Sequence, residues 1–448
     1  MSIYRAYDIR GLYGTEVTEE IALKIGKAFG STVTGTVAVG CDVRKSSPTL
    51  SKALIEGLKS TGLKVIDVGC VPTPALYFAI YILKLDGGIM LTASHNPPEY
   101  NGFKLCIKGG MTLYGDEITA VGAAVDAGKF RSGQGSIEAR DILPEYSKYM
   151  SDRIKLKRKL KVVLDCANGT AGAVAPKLFR DLGCEVIELF SEPDGNFPNH
   201  PADPTVDSNL KDLIAKVKEE KADIGLAYDG DSDRAGFVDE NGGIIRGDQA
   251  LALFSREILA KNKGASIIFE VKCSMALTED IEAHGGRPIM YRTGHSFIKK
   301  KIKEEHAFLA GEMSGHFFFA DDYPGFDDGI YATARMVQTL SKTKKRMSEI
   351  VDTIPKYYST PEIRATVPEE KKFALVDEVR KAFEGKYELI TVDGVRVQAK
   401  DGWGLMRASN TGPHLVLRFE GKTPKKLEEM KAVFREVFDR NPELKGKI

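Results

Sequence analysis

No apolar run in this 448-residue chain is long enough to cross a membrane, no two cysteines form a CxxC pair, and neither sign of charge predominates. The longest apolar run, ALYFAIYIL from Ala75 to Leu83, falls well short of the roughly 20 residues that a spanning helix needs. The opening MSIYRAYDIRG has no apolar signal-peptide core, so a cytoplasmic protein without a membrane partner is expected. Sixty-four Lys and Arg stand against 63 Asp and Glu, a net charge of +1. Such a balance gives no global field for nucleic acid, and any anion must be gripped by a local site. The six cysteines, at positions 41, 70, 106, 166, 184 and 273, sit mostly in apolar, strand-like contexts such as KVVLDCA. Reduced, buried thiols are expected there, not disulfides or zinc ligands.

What is present is enough apolar material, 42% of residues, for several cores in a chain too long for one. Three stretches repeat one rhythm: a strand ending in a polar loop, a helix, a second strand, and a third strand ending in a loop rich in chemistry. They are TVAVGCD, LKVIDVG and GGIMLTASHN; then KVVLDCANG, CEVIELF and ADIGLAYDGDSD; then ASIIFEVKCS, RPIMYRTGHS and AFLAGEMSGH. Helical patterns such as SPTLSKALIEGLKSTG lie between the first two strands of each set and end at glycine. The fold class expected is α/β, with three similar α/β domains of mixed, mainly parallel sheets. A smaller C-terminal α+β domain, with strand-like runs YELITVDGVRVQA, GWGLMRAS and HLVLRFE between two helical segments, completes it around a central cleft. Boundaries are placed at residues 1–150, 151–250, 251–360 and 361–448. Ligands of parallel sheets gather at the carboxyl ends of strands, where all three chemical loops fall.

The first loop, TASHNPPEYNGFK from Thr92 to Lys104, offers Ser94 as a hydroxyl nucleophile among turn formers. Adjacent side chains on extended backbone point apart, so a Ser94–His95 dyad is not expected, and no GxSxG elbow surrounds the serine. A serine that stores or passes a phosphoryl group beside a metal fits better than one that attacks acyl groups. The second loop sets Asp229, Asp231 and Asp233 at alternate positions, an oxygen-only set suited to magnesium. An EF-hand is excluded because Arg234 stands at the sixth position, where that loop needs glycine. In the third, Gly311 to His316, Glu312 and Ser314 suit sugar hydroxyls and His316 can move a proton; taken alone, this loop fits a strand-to-helix turn equally well. A fourth loop gathers Arg407, Ser409, Asn410 and Thr411 before Gly412, a set matched to a phosphate dianion. The nearby GKT at 421–423 lacks the glycine a P-loop requires, since Val416 stands there. Arg10, Lys104, Arg234, Lys272 and His295 also sit at strand ends or glycine-bounded turns beside these motifs.

From AYDIRG through TASHNPP, DGDSDR and GEMSGH to RASNTGP, the ordered set resembles the α-D-phosphohexomutase superfamily over nearly the whole chain. The GEMSGH form is most similar to that of bifunctional phosphomannomutase/phosphoglucomutase enzymes. The resemblance implies four domains around a cleft and a reversible transfer of phosphate between O1 and O6 of a hexose. It implies Ser94 as the phosphoserine and, with Asp229, Asp231 and Asp233, as a ligand of Mg2+. Lys104, His316 and Arg10 would be acid and base groups. Glu312 and Ser314 would grip sugar hydroxyls, and Arg407, Ser409, Asn410 and Thr411 the non-reacting phosphate, with Tyr7, Arg234, Lys272 and His295 completing the site. Hexose 1,6-bisphosphate would be intermediate and activator. Partners are expected to be small sugar phosphates only, with the protein a monomer or weak dimer. A phosphoglucosamine mutase, a metal-dependent sugar phosphatase and a non-catalytic phosphosugar-binding protein are the rival expectations.

Overall fold

The computed structural model describes residues 3–409 and 412–448, whose strands form four sheets. Each of the first three sheets is built on the same parallel unit. In the first, Thr36–Cys41 lies between Lys64–Cys70 and Gly87–Leu91. The second places Lys161–Asp165 between Glu185–Leu189 and Ile224–Tyr228. In the third, Ser266–Glu270 lies between Arg287–Tyr291 and Leu309–Gly311. Parallel neighbours need crossover connections, and helices such as Ser47–Lys59, Lys211–Glu220 and Met275–Ala283 supply them. Strands such as GGIML and SIIFE are buried along their whole length, as sheets covered on both faces require. The rhythm read from the sequence is therefore the repeat of the fold.

After its third parallel strand each unit turns back, into Tyr100–Ile107, Ala235–Asp239 or Phe317–Phe319, each antiparallel to the strand before it. The three chemical loops are these three hairpin turns. A strand-to-helix turn for GEMSGH is thereby excluded: Gly311 pairs with Phe317, so the loop closes a hairpin.

The apolar run at Ala75 becomes the helix Thr73–Ile82, buried from Thr73 through Ile80. It belongs to one apolar cluster running from Ala38 to Ile354 that includes Tyr146, Leu226, Phe254 and Phe317, so the first three units share a core. Among the described residues no helix is long and apolar enough to cross a membrane. The C-terminal sheet, antiparallel throughout, has its own core with the helices Lys372–Phe383 and Pro424–Phe438. There the single run YELITVDGVRVQA splits into Glu388–Ile390 and Val395–Ala399, paired about an Asp393-Gly394 turn. Gly394 takes φ +80° there, which glycine adopts freely. Buried Arg396 ties this unit to the third, its Nη1 donating to Val271 O at 2.5 Å and Cys273 O at 2.8 Å. Five cysteines are buried as expected, but Cys70, the last residue of its strand, is exposed.

Candidate active site

Ser94 is 2% exposed and adopts φ +50°. This left-handed turn brings neighbouring side chains together: Ser94 Oγ donates to Asp229 Oδ2 at 2.8 Å and lies 3.1 Å from His95 Nδ1. The separation of Ser94 from His95 expected for extended backbone is therefore corrected, since the backbone there is not extended. Desolvation, then the positive charges of Arg234 and Arg10, hold His95 well below the ordinary histidine value, so its ring is neutral. Arg44 fixes the loop. Its guanidinium donates to Ser94 O at 3.0 Å, Asn96 O at 2.6 Å, Pro97 O at 2.5 Å and Tyr100 O at 3.0 Å, while its Nε donates to Asp42 at 3.0 Å.

The acidic loop approaches the serine loop so closely that a Cβ on Gly230 would stand 2.7 Å from Ser94 O. Asp229, Asp231 and Asp233 are fully buried and offer carboxylate oxygens all within 4.8 Å of one another. Thr73 Oγ1 donates to Asp231 Oδ2 at 2.6 Å. Lys104 Nζ does so too at 2.7 Å, and it pairs with Asp233 as well. Burial alone would lower the Lys104 ammonium, but Asp231 and Asp233 outweigh it and raise the group above the ordinary lysine value. Burial and the neighbouring carboxylates raise Asp229 well above its usual range. Asp231 Oδ1 is buried with no hydrogen-bond partner among the described residues. An orphaned oxygen in a hard, all-oxygen donor set fits a divalent metal ion.

In the third loop Glu312 Oε1 accepts from Gly294 N–H at 2.6 Å, and Oε2 lies 2.8 Å from His316 Nδ1 and 3.5 Å from Ser314 Oγ. His316 Nε2 lies 3.2 Å from Asp233 Oδ1. Burial disfavours the imidazolium, but Asp233 and Glu312 more than offset it and push His316 up to about 9. His316 Nε2 thus faces Asp233 as an ion pair, and Arg234 Nε approaches the same nitrogen at 3.3 Å. His295, buried beside His316 with ring centroids 5.8 Å apart, is held well below its ordinary value by burial and then by Lys299 and Lys104. A charged and a neutral histidine thus stand side by side.

At the C-terminal unit Arg407 Nε donates to Asp393 Oδ2 at 2.9 Å, and the same oxygen accepts from Thr293 N–H at 3.0 Å. Arg407 Nη2 is buried with no hydrogen-bond partner among the described residues. Ser409 is 3% exposed, and its carbonyl accepts from Lys372 Nζ at 2.7 Å. Asn410 and Thr411 lie outside the described residues. Lys272 Nζ pairs with Glu362 Oε2 at 3.1 Å. Arg10 Nη1 donates to Asn96 Oδ1 at 2.7 Å, and Tyr7 packs edge-on to His295.

Ser94, Lys104, His316, Arg10, Tyr7, Arg234, Lys272, His295, Glu312, Ser314, Arg407 and Ser409 all line one cavity of about 960 Å³, with the three aspartates directly behind Ser94 and Lys104. Nine Lys and Arg but five Asp and Glu line it, so a nearly neutral chain concentrates positive charge where an anion would sit. Sequence reasoning missed Arg5, Arg246, Arg364 and Arg418 on its walls, and Arg44 beneath it. Arg44 carried a usable signal, since in GCDVRKSS three charges, Asp42, Arg44 and Lys45, follow a strand end; the wall arginines had none, because only tertiary structure turns them inward.

Comparison with known proteins assigns all four units. Family models of phosphoglucomutase/phosphomannomutase match in order: alpha/beta/alpha domain I at residues 1–132, domain II at 144–243, domain III at 246–358, and the C-terminal domain at 362–437. A phosphomannomutase/phosphoglucomutase of Pseudomonas aeruginosa is 52% identical over 439 residues, covering 97% of this chain and 95% of that protein. A phosphoglucomutase of Neisseria gonorrhoeae is 46% identical over 451 residues, 99% of this chain and 98% of the other. Among solved structures, a phosphoglucomutase/phosphomannomutase family protein of Burkholderia thailandensis superposes with a TM-score of 0.93 at 43% identity, covering 98% and 97% of the two chains.

Proposed function

The chain belongs to the phosphoglucomutase/phosphomannomutase family, and on that premise we propose how its own residues perform the family's reaction. It is an isomerase that moves phosphate on a hexose phosphate, through an enzyme phosphoserine and a 1,6-bisphosphate. Mannose and glucose phosphates are its proposed substrates, supported by the GEMSGH loop and by the relatives' activities. The observation that carries the assignment of residues is Ser94 Oγ, bonded to Asp229 at 2.8 Å on the wall of a cavity that also holds His316 and Arg407.

Ser94 carries the phosphoryl group and donates it to the free hydroxyl of the bound sugar phosphate. The bisphosphate turns over in the cavity, and the other phosphate returns to Ser94. Asp229, Asp231 and Asp233, with an oxygen of the Ser94 phosphate, would hold Mg2+, whose charge neutralises the transferring group. Lys104 and Arg10 add fixed positive charge beside Ser94, the main protein contribution in phosphoryl transfer. His316, protonated at rest, is the group that exchanges a proton with the reacting sugar oxygen. Glu312 and Ser314 hold ring hydroxyls, and Lys272, His295, Tyr7 and Arg234 orient the sugar. Arg407, whose Nη2 has no hydrogen-bond partner among the described residues, grips the non-reacting phosphate with Ser409, Asn410 and Thr411. We place the enzyme in the cytoplasm as a monomer or weak dimer.

The test supplies mannose 1-phosphate or glucose 1-phosphate with magnesium and a trace of the 1,6-bisphosphate and follows the 6-phosphate. Release of inorganic phosphate alone would make the protein a phosphatase. Turnover of glucosamine phosphate with neither of the other two sugars would overturn the substrate assignment.

A further inference from the structure

Cys41 and Cys70 end the neighbouring parallel strands Thr36–Cys41 and Lys64–Cys70 and are partners in register. Adjacent strands run about 4.8 Å apart, within the roughly 4.4–6.8 Å between Cα atoms that a disulfide spans. Register partners also project from the same face of a sheet. Cys41 is 9% exposed, whereas Cys70 is open to solvent. The neighbouring Cys41 thiol draws Cys70 below its ordinary value, and Cys70, with burial, pushes Cys41 up. The outer sulfur is the one that oxidants reach, and the inner one lies behind it to resolve the oxidised form. The other four cysteines are buried, and burial raises each of them.

Both strand ends lead directly into the catalytic scaffold. Asp42, next to Cys41, donates its N–H to Leu91 O at 2.9 Å and braces Arg44, which holds the Ser94 loop. Val71 N–H donates to Cys41 O at 3.0 Å, and two residues later Thr73 binds Asp231 through both its N–H, at 2.9 Å, and its hydroxyl, at 2.6 Å.

We propose that Cys41 and Cys70 form a peroxide-sensitive modification site, whose disulfide shifts the segments holding Ser94 and Asp231 and slows turnover. Cys70, having released its proton to solvent, attacks hydrogen peroxide as the thiolate and takes one oxygen as sulfenic acid, while the other leaves as hydroxide, which takes up the released proton to become water. Cys41 sulfur then attacks Cys70 sulfur, and its proton leaves with the displaced hydroxide as a second water. Two thiols are oxidised and one peroxide is reduced. Closing the bond draws the sulfurs to about 2.05 Å, which pulls Cys41 from its core position and moves Asp42 and Arg44 with it.

The full-length protein is treated with hydrogen peroxide, digested without reduction and mapped by mass spectrometry, with mutase turnover followed in parallel. A Cys41–Cys70 linked peptide should accumulate as turnover falls severalfold, and dithiothreitol should restore both. Cys70→Ser should keep its basal turnover and resist peroxide, while Cys41→Ser should stop at a Cys70 sulfenic acid that dimedone traps. Three results overturn the proposal: oxidation without the linked peptide, the linked peptide with unchanged turnover, or equal peroxide sensitivity in Cys70→Ser.

Discussion

Ser94 and Arg44 are buried side by side in neighbouring loops, yet they should fail in different ways when replaced. Ser94 Oγ reaches Asp229 and faces the cavity, so Ser94→Ala removes the phosphoryl carrier without a packing defect. Turnover of glucose 1-phosphate should fall by on the order of a thousandfold or more, while calorimetry shows substrate affinity retained; equal activity of the two proteins would sink the covalent role. Arg44 gives its donors to four backbone carbonyls and Asp42. Arg44→Met leaves Asp42 as an unpaired buried charge and should cost about 3 kcal/mol in urea unfolding, with activity falling as well. The nucleophile was legible because turn formers surround it. Its pairing with His95 was not, because it depends on φ +50° at Ser94, and nothing in the composition of TASHNPP requires that backbone angle.

Among the elements, the three hairpin turns show why local pattern goes far and then stops. Strand, polar loop and strand can be read along the chain, but the contact between two such loops cannot. Gly230 is where they meet: Gly230→Ala would push a methyl group to 2.7 Å from Ser94 O. Its turnover should drop much further than its melting temperature, and a fully active variant would show that the two loops need no such approach. Residues 191–205 form a second contact of this kind. His200 Nε2 lies 3.1 Å from Asp165 Oδ2 at the end of Lys161–Asp165, and its Nδ1 lies 2.9 Å from Pro201 O. Burial lowers His200, but Asp165 outweighs it, so the folded value stands above the ordinary 6.5. A raised histidine stabilises the fold below its ordinary value and loses that contribution as pH rises through the folded one. His200→Gln should therefore lower the melting temperature near pH 5.5 and differ less from the parent at about pH 8.5. A difference that widens with pH would refute the charged pair.

For the molecule as a whole, one apolar cluster joins the first three units, while buried polar links from Arg396 and Arg418 join the fourth to the third. The acidic loop of the second unit meets Ser94 and Lys104 of the first, so a metal ion there would stabilise the assembly as well as the chemistry. Magnesium at a hundredfold over its Kd should add about 2.7 kcal/mol to unfolding, EDTA should remove it, and the replacement of Asp231 by Asn should abolish the effect. A melting curve indifferent to magnesium in the parent protein would refute the site. The sequence by itself determined the α/β repeat, the smaller α+β unit and twelve of the polar and charged side chains that line the cavity. These depend on hydrophobic period, turn chemistry and side-chain type, which are local properties of the chain. Only the tertiary structure decided that Arg44 holds the serine loop, that His316 is charged beside a neutral His295, that wall arginines turn inward, and that Cys41 faces Cys70. Each of those depends on groups brought together from distant positions, where burial and neighbouring charge, not residue type, set the chemistry.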